Sequence, residues 1–582
     1  MASIPTVQSA AVIENAGPNG IVRIEDSHPV ETPGKNEVLV KLAFSGICGS
    51  EVRAMLGWGN YKPVIGHEGV GIVVKVGENV ADSILGQRVG VKWLHSACSL
   101  CSQCKSGFSN HCIKPVFTGL HVQGTLQQYV IADSRYLTRI PDGLPGELAA
   151  PLLCAGLTMA GGIAKLDTHI PSDGWVVVSG SGGGLGHIGV QIASRLRGFK
   201  VIAVDSGSSK RELSLQCGAQ AFIDFSTENV EERVKEITGE GAHACLIVSG
   251  SEAAFELAPK LVRNAGLLVI IGLPPATYNF PMTASLYAVK ALTVTGVMVG
   301  NEQQMEELLQ QAAAGVISPA VQVEEFSETP HIFEKLKNNQ VTGRIVHKMP
   351  SPIMTATLQA AALSTASNFC AQFIETYWNN SIFHLDLIQL IRFIVYTLIT
   401  APPNYLWQQF LEKSLPAYPL LQQPNDPGGK DIELKAMEEA AAGPAIGEGS
   451  KSQSQGAAQS KFSIRNTLAK WFIDCITAGA IMNTLAFLIV MGILKGQPAV
   501  QISSNIKTVS IQYLSPSPNW QKCRLTFVPI KETIPIIIAG YKIWPIASII
   551  SFSFIPVHRR IVFLSFIGLL WGIYMSLVAA RV

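Results

Sequence analysis

One stretch constrains the fold more than any other: "WVVVSGSGGGLGHIGVQIASRLRGFKVIAVD", residues 175–205. A β-branched run meets a glycine-rich turn, an amphipathic helical pattern follows, and a second apolar run ends on an acid. The spacing predicts strands over Val176–Ser179 and Val201–Val204 with a helix between them. Two strands joined this way lie parallel in one sheet, with a right-handed crossover. Gly180, Gly182, Gly183, Gly184 and Gly186 let the backbone approach a pyrophosphate at the helix N-terminus. Asp205 closes the second strand, where a carboxylate accepts from adenine-ribose hydroxyls and repels a 2′-phosphate. That chemistry points to NAD over NADP. A glycine-rich turn alone is weak evidence, because flexible turns are commoner than nucleotide sites. The strand before, the helix after and the acid at the next strand end make it specific. Further strands are expected at "ACLIVSG" and "GLLVIIGLP", as a doubly wound α/β sheet requires.

The second signal is "CSLCSQCKSGFSNHC", residues 98–112. The opening "MASIPTVQSAAVIE" shows no basic segment followed by an apolar one, so no secretory signal is visible. Without secretion, clustered thiols read as metal ligands or catalysts rather than disulfides, and the total of 11 cysteines is odd. Gaps of two, two and seven residues let Cys98, Cys101, Cys104 and Cys112 converge on a tetrahedral zinc. Four thiolates close the metal's shell, so this zinc braces a loop. Three more candidate ligands lie outside the cluster: Cys48 in "SGICGSE", His67 in "VIGHEGVG" and Cys154 in "APLLCAGLT". Two thiolates and an imidazole leave a fourth position open, the arrangement of a catalytic zinc. Singly, each has a plainer reading: a small core cysteine, or a hydrogen-bonded turn histidine.

Composition matters at one point. The formal net charge of +2 offers no basic field for nucleic acid. Charged residues are only 15%, and mean hydropathy is +0.28. The imbalance is local. Residues 1–348 alternate strand-like runs, glycine turns and charged helices; beyond Met349 long apolar stretches take over. Residues 475–494 and 561–580 each run 20 residues without a charge, the length of a membrane-spanning helix.

Residues 1–348 resemble a zinc-dependent alcohol dehydrogenase of the medium-chain dehydrogenase/reductase superfamily, of the yeast and fungal NAD type. "GHEGVG", "GVKWL", "GTLQQY", "APLLCAGLT", "GAH", "SEAAFE" and the terminal "GRIV" carry the resemblance. It implies a chaperonin-10-like β-barrel catalytic domain over 1–155, a Rossmann NAD-binding domain over 156–295, and a return segment, 296–348, completing the first domain. It implies two zinc ions per subunit, catalytic at Cys48, His67 and Cys154 and structural at Cys98, Cys101, Cys104 and Cys112. The glycine turn, Asp205, Lys210, the stretch Ile271, Gly272, Leu273, and Arg344 match the family's NAD contacts. Ser50 matches the hydroxyl that takes the alcohol proton, and Glu68 a carboxylate near the zinc. The implied partner is a small alcohol or aldehyde, and the implied assembly a homo-oligomer built through this half. Three positions depart from the yeast-type pattern. Gly49 stands where relatives place a histidine or arginine on the pyrophosphate, Glu51 where they have aspartate, and Arg53 where a histidine ends the proton relay. Trp58 and Trp93 fall where aromatics line the family's substrate pocket.

Residues 349–582 read as a transmembrane domain with a disordered polar loop at 421–460. The pattern tryptophan-proline, then "FIPV" with Arg559 and Arg560, then Trp571 and Tyr574, resembles the small peroxisomal and inner-mitochondrial membrane protein family. The resemblance implies an all-α transmembrane bundle of about four helices, multi-pass in one of those membranes, while the dehydrogenase half alone would be cytoplasmic. No Gly-, Ser- or Pro-rich linker separates "TGRIVHKM" from "MPSPIMTATLQ". This junction favours two neighbouring reading frames joined, with a true fusion as the rival reading. The alternative function is a channel-like organellar membrane protein with a vestigial dehydrogenase portion.

Overall fold

The computed structural model describes residues 4–275, 277–280, 283–350, 352–378, 383–416, 463–475, 478–504, 506, 545–555 and 557–579. The chain divides into two compact units after Pro350.

The first unit opens with an antiparallel hairpin, β1 (Val7–Glu14) and β2 (Ile21–Pro29). A longer strand, β3 (Glu37–Ile47), pairs antiparallel with β4 (Gly69–Val76), which pairs with β5 (Arg88–Val91). Two short strands, β6 (Leu94–Ser96) and β7 (Val116–Phe117), flank the four-cysteine lobe. The strand β8 (Tyr129–Asp133) returns to β3, and β9 (Thr138–Arg139) to β5. Alternation of side chains divides β3 between two cores: Val38, Val40 and Leu42 join one, Leu39 the other.

The stretch 175–205 folds as its pattern requires. Six strands follow, β10 (Trp175–Ser179), β11 (Lys200–Asp205), β12 (Ala221–Asp224), β13 (Ala242–Ile247), β14 (Val262–Ile270) and β15 (Thr293–Gly296). They form one parallel sheet in the order β12-β11-β10-β13-β14-β15. Both faces are buried: Val176 and Val178 pack in one cluster, Val177 in another. That two-sided burial explains the unbroken "VVV", since a strand covered on both faces needs no polar alternation. Strand order reverses between β10 and β13, which opens a crevice at the carboxyl ends of those strands. Finally β16 (Val321–Glu325) and β17 (Arg344–Lys348) rejoin the first sheet through β3.

The expected junction after Lys348 falls two residues short of where the units divide. Met349 is buried in the barrel core and donates its N–H to the Ala43 carbonyl at 2.9 Å, and the Pro350 carbonyl accepts from Gln128 Nε2 at 2.7 Å.

In the second unit the described long helices are Pro352–Trp378, Leu387–Ser414, Ile464–Cys475, Ala478–Leu494 and Val557–Ala579. Ala356, Ala360, Ala401, Tyr405 and Ile561 form a core in which the small side chains let helices approach closely. Glu412 bridges Lys470 and Arg560, each at 2.6 Å, and Asp474 accepts from Trp407 Nε1 at 2.8 Å. Of the apolar stretch at 475–494, Cys475 ends the helix before it and residues 478–494 form the 17-residue helix Ala478–Leu494; residues 561–579 of the stretch at 561–580 lie in the 23-residue helix Val557–Ala579. Among the described residues one helical stretch, Gly146–Ile163, has the length and apolarity to cross a membrane, and it is 83% buried inside the first unit, as a core helix is; Leu485–Leu494 and Pro545–Phe554 are shorter apolar helices. The loop expected at 421–460 lies outside the described residues.

Candidate active site

Two donor clusters stand out among the described residues. Ligand atoms of Cys98, Cys101, Cys104 and Cys112 lie within 4.8 Å of one another, as do those of Cys48, His67, Glu68 and Cys154.

The four-cysteine lobe is shaped for anionic sulfur. Backbone N–H groups of Cys98 and Lys114 both point at Cys112 Sγ from 3.3 Å, and that of Cys101 at Cys98 Sγ from 3.4 Å. Backbone donors from Cys104 and Ile113 pull the Cys101 thiol down to about 6. Burial, then Cys101 and Cys112, push Cys104 up to about 12. Four thiols that cannot all ionise side by side, each beside amide donors, fit a divalent cation at their centre.

The second cluster is assembled from three places. Cys48 follows β3 and caps the helix Gly49–Met55. His67 precedes β4, and Cys154 sits in an irregular, π-type turn of the buried helical segment 146–163. His67 Nε2 is 3.2 Å from Cys154 Sγ, while Nδ1 faces Glu51 Oε1 at 2.9 Å. A carboxylate on Nδ1 fixes the imidazole tautomer and frees Nε2 for a metal. Glu51 also accepts from the Cys48 backbone N–H. The departure Glu51 therefore keeps the contact to the histidine. Its position three residues after Cys48, completing a capping box, is the sequence signal that places it there.

Glu68 and Arg344 form an ion pair with both side chains buried. Burial raises the Glu68 carboxyl to about 7, against the pull of Arg344. Burial works against the Arg344 charge, yet Glu68, Cys48 and Cys154 outweigh it and hold the guanidinium protonated. Cys48 is drawn well below an ordinary thiol, chiefly by a hydrogen bond from Cys154 and then by Arg344 and His67. Ser50 Oγ is buried with no hydrogen-bond partner. Trp93 meets the His67 ring edge-on at 5.0 Å and stacks on Phe117 at 4.8 Å. Trp58 is turned instead toward Arg53, whose guanidinium lies 5.4 Å from its ring.

At the glycine turn, Gly180 takes φ +84, a left-handed conformation that a side chain would strain. A Cβ on Gly184 would stand 2.6 Å from Arg344 Cδ, and one on Gly182 would collide with Lys210. Gly183 lies in the same turn, and Gly186 opens the helix that follows it. Asp205 Oδ2 accepts from the Gly182 N–H at 2.9 Å, and Oδ1 from Lys210 Nζ at 3.1 Å. Asp205 thus braces the turn as well as ending β11. Ile271 and Gly272 each hydrogen-bond to the Ile247 carbonyl, and Leu273 accepts from Arg53. Sequence reasoning missed His187, one residue past the turn, because a buried histidine in a helical run has no motif of its own.

A buried set of two thiols, an imidazole and a carboxylate, in a unit that also holds a doubly wound sheet, has the parts of a metal-dependent dehydrogenase. Comparison with known proteins agrees. Residues 34–142 match the alcohol dehydrogenase GroES-like domain and residues 184–314 the zinc-binding dehydrogenase family. Residues 530–576 match the Mpv17 / PMP22 family. Alcohol dehydrogenase 2 of Emericella nidulans is 38% identical over 366 residues, 59% of this chain and 98% of its own. An alcohol dehydrogenase of Schizosaccharomyces pombe is 36% identical over 351 residues, again 59% and 98%. Among solved structures, the Aeropyrum pernix alcohol dehydrogenase superposes with TM-score 0.54 at 27% identity, covering 59% of this chain and 100% of that one. Acetophenone reductase from Geotrichum candidum, solved with NAD, gives TM-score 0.53 at 28% identity, covering 60% and 98%. Through its first unit the chain belongs to the zinc-binding alcohol dehydrogenase family.

Proposed function

We propose that the first unit carries out reversible hydride transfer between a small primary or secondary alcohol and NAD, and that residues 351–582 seat it in a membrane. The observation that carries this reading is the convergence of Cys48, His67 and Cys154 around one point, with the unpartnered Ser50 Oγ two residues from Cys48. When bound, zinc supplies Lewis-acid polarisation of an oxygen and NAD supplies the hydride acceptor. Cys48, His67 and Cys154 would hold that zinc, and Cys98, Cys101, Cys104 and Cys112 a second one. The chain's own groups do the rest. Glu51 holds the His67 tautomer, and Ser50 accepts the proton that the alcohol gives up. The buried Glu68–Arg344 pair keeps a carboxylate beside the ligand cluster without leaving its charge uncompensated. The glycine turn receives the pyrophosphate and Asp205 the adenine ribose, which favours NAD over NADP. Trp93 narrows the space beside His67, which fits small substrates.

For the second unit we propose a multi-pass bundle of about four helices in a peroxisomal or inner-mitochondrial membrane. The match of residues 530–576 and the 23-residue helix Val557–Ala579 support it. A homo-oligomer through the dehydrogenase half accords with the family. Alcohol-dependent formation of NADH by the zinc-loaded chain tests the enzymatic reading. Loss of that activity in Cys48→Ser, with the fold kept, is the expected companion result. A wild-type protein that binds both zinc ions and NADH yet turns over no alcohol would refute it.

A further inference from the structure

Arg53 sits where a proton path would be expected to end, yet its guanidinium points elsewhere. It donates to the Leu273 carbonyl, in the loop that follows β14. Its Nη2 also lies 2.9 Å from where a Cβ on Gly250 would stand, in the loop that follows β13. The neighbouring Ser249 donates its N–H to the Ser179 carbonyl at 3.0 Å, and that N–H lies 3.2 Å from the Cβ position of Gly180. Arg53 therefore stands at the loops after β13 and β14, and Ser249, next to the glycine it approaches, ties the first of these loops to the end of β10 across the switch point. Ligands of doubly wound sheets bind in that crevice, and a dinucleotide's diphosphate lies at its glycine turn.

Charge bookkeeping around the crevice singles the same residue out. Lys210 is paired with Asp205 at 3.1 Å, and Arg344 is paired with Glu68. One helical turn before Arg53, on the same face, stands Gly49, which brings no charge and whose Cβ position has nothing within 4 Å. A guanidinium has five N–H donors, and the Leu273 carbonyl occupies only part of them. It also stays protonated at any working pH, so it has no proton to pass on.

We propose that Arg53 is a cofactor-binding residue: from the barrel side it grips the diphosphate of the dinucleotide, filling the need that Gly49 leaves, and it is not the end of a proton relay. The proposal rests on the NAD-linked reading above. It makes the helix Gly49–Met55 a link between cofactor and metal cluster, since Cys48 caps the helix that carries Arg53.

The test is binding, not turnover. On the zinc-loaded full chain in detergent, ADP-ribose and AMP are titrated as competitors of NADH fluorescence. Arg53→Gln is expected to weaken ADP-ribose about tenfold while AMP, which lacks the second phosphate, changes less than about twofold. Arg53→Lys, which keeps a charge, should recover part of the loss, and Gly49→Arg placed on Arg53→Gln should restore binding. Should Arg53→Gln fail to fold, the comparison of Arg53→Lys with wild type carries the test through a smaller loss confined to ADP-ribose. Unchanged ADP-ribose affinity in the variants, or equal weakening of both nucleotides, overturns the assignment while leaving the dehydrogenase reading intact. A wild-type chain that binds neither NADH nor ADP-ribose overturns both.

Discussion

Acid should loosen the first unit through His187, and the size of the effect follows from its surroundings. The ring is fully buried; Nδ1 donates to the Gly183 carbonyl at 2.8 Å and Nε2 accepts from the Ala320 N–H at 3.0 Å. It thereby ties the glycine turn to the segment just before β16. Burial, helped by the nearby Arg344 charge and opposed by the Gly183 bond, holds the imidazole down at about 4, against an ordinary 6.5. As pH falls below 6.5 the unfolded chain takes up a proton that the folded one refuses. The contribution of His187 is thus complete above 6.5 and is lost progressively toward pH 4. Between pH 7.5 and 4.5 the loss amounts to about 2.5 kcal/mol, from about 1.4 kcal/mol per pH unit below 6.5. His187→Gln keeps an acceptor for Ala320 N–H and cannot titrate. Urea unfolding followed by tryptophan fluorescence at the two pH values should show wild type losing about 2.5 kcal/mol more than the variant. Protonation of the zinc thiolates and of the similarly buried His347, also held at about 4, is common to both proteins and cancels. Equal acid losses in the two would refute the buried, neutral imidazole.

Four further outcomes are expected. Metal analysis should find two zinc ions per chain; Cys101→Ser should lose one and lower the melting temperature, whereas Cys48→Ser should lose the other and mainly remove activity. Asp205→Ala should narrow the preference for NAD over NADP, measured as the ratio of kcat/KM, and should also loosen the turn because the Gly182 N–H loses its acceptor. Truncation after Pro350 should leave a soluble, zinc-binding dehydrogenase, while truncation after Lys348 should lower its melting temperature by stripping Met349 from the core. An immunoblot of the native source showing one membrane-bound species of 62.4 kDa would establish the fusion; two smaller species would establish joined reading frames.

What the sequence determined by itself is local chemistry. The strand, glycine turn, helix and acid of 175–205 were legible because steric freedom at glycine and the unbroken β-branched run of a strand covered on both faces act between near neighbours. The four-cysteine lobe was legible because short gaps alone bring thiols together, and the change of composition after Met349 announced a different solvent for the second unit. The contacts of His187 and Arg53 were decided only in three dimensions. His187 meets Ala320 across 133 positions of sequence, and Arg53 meets Leu273 across 220. Such contacts depend on how the barrel is set against the doubly wound sheet, which the packing of many side chains fixes and no spacing encodes. The family resemblance alone placed Arg53 where a histidine ends the relay. The tertiary structure aims its charge at the crevice, because a long cationic side chain settles where carbonyl oxygens and open polar space can solvate it.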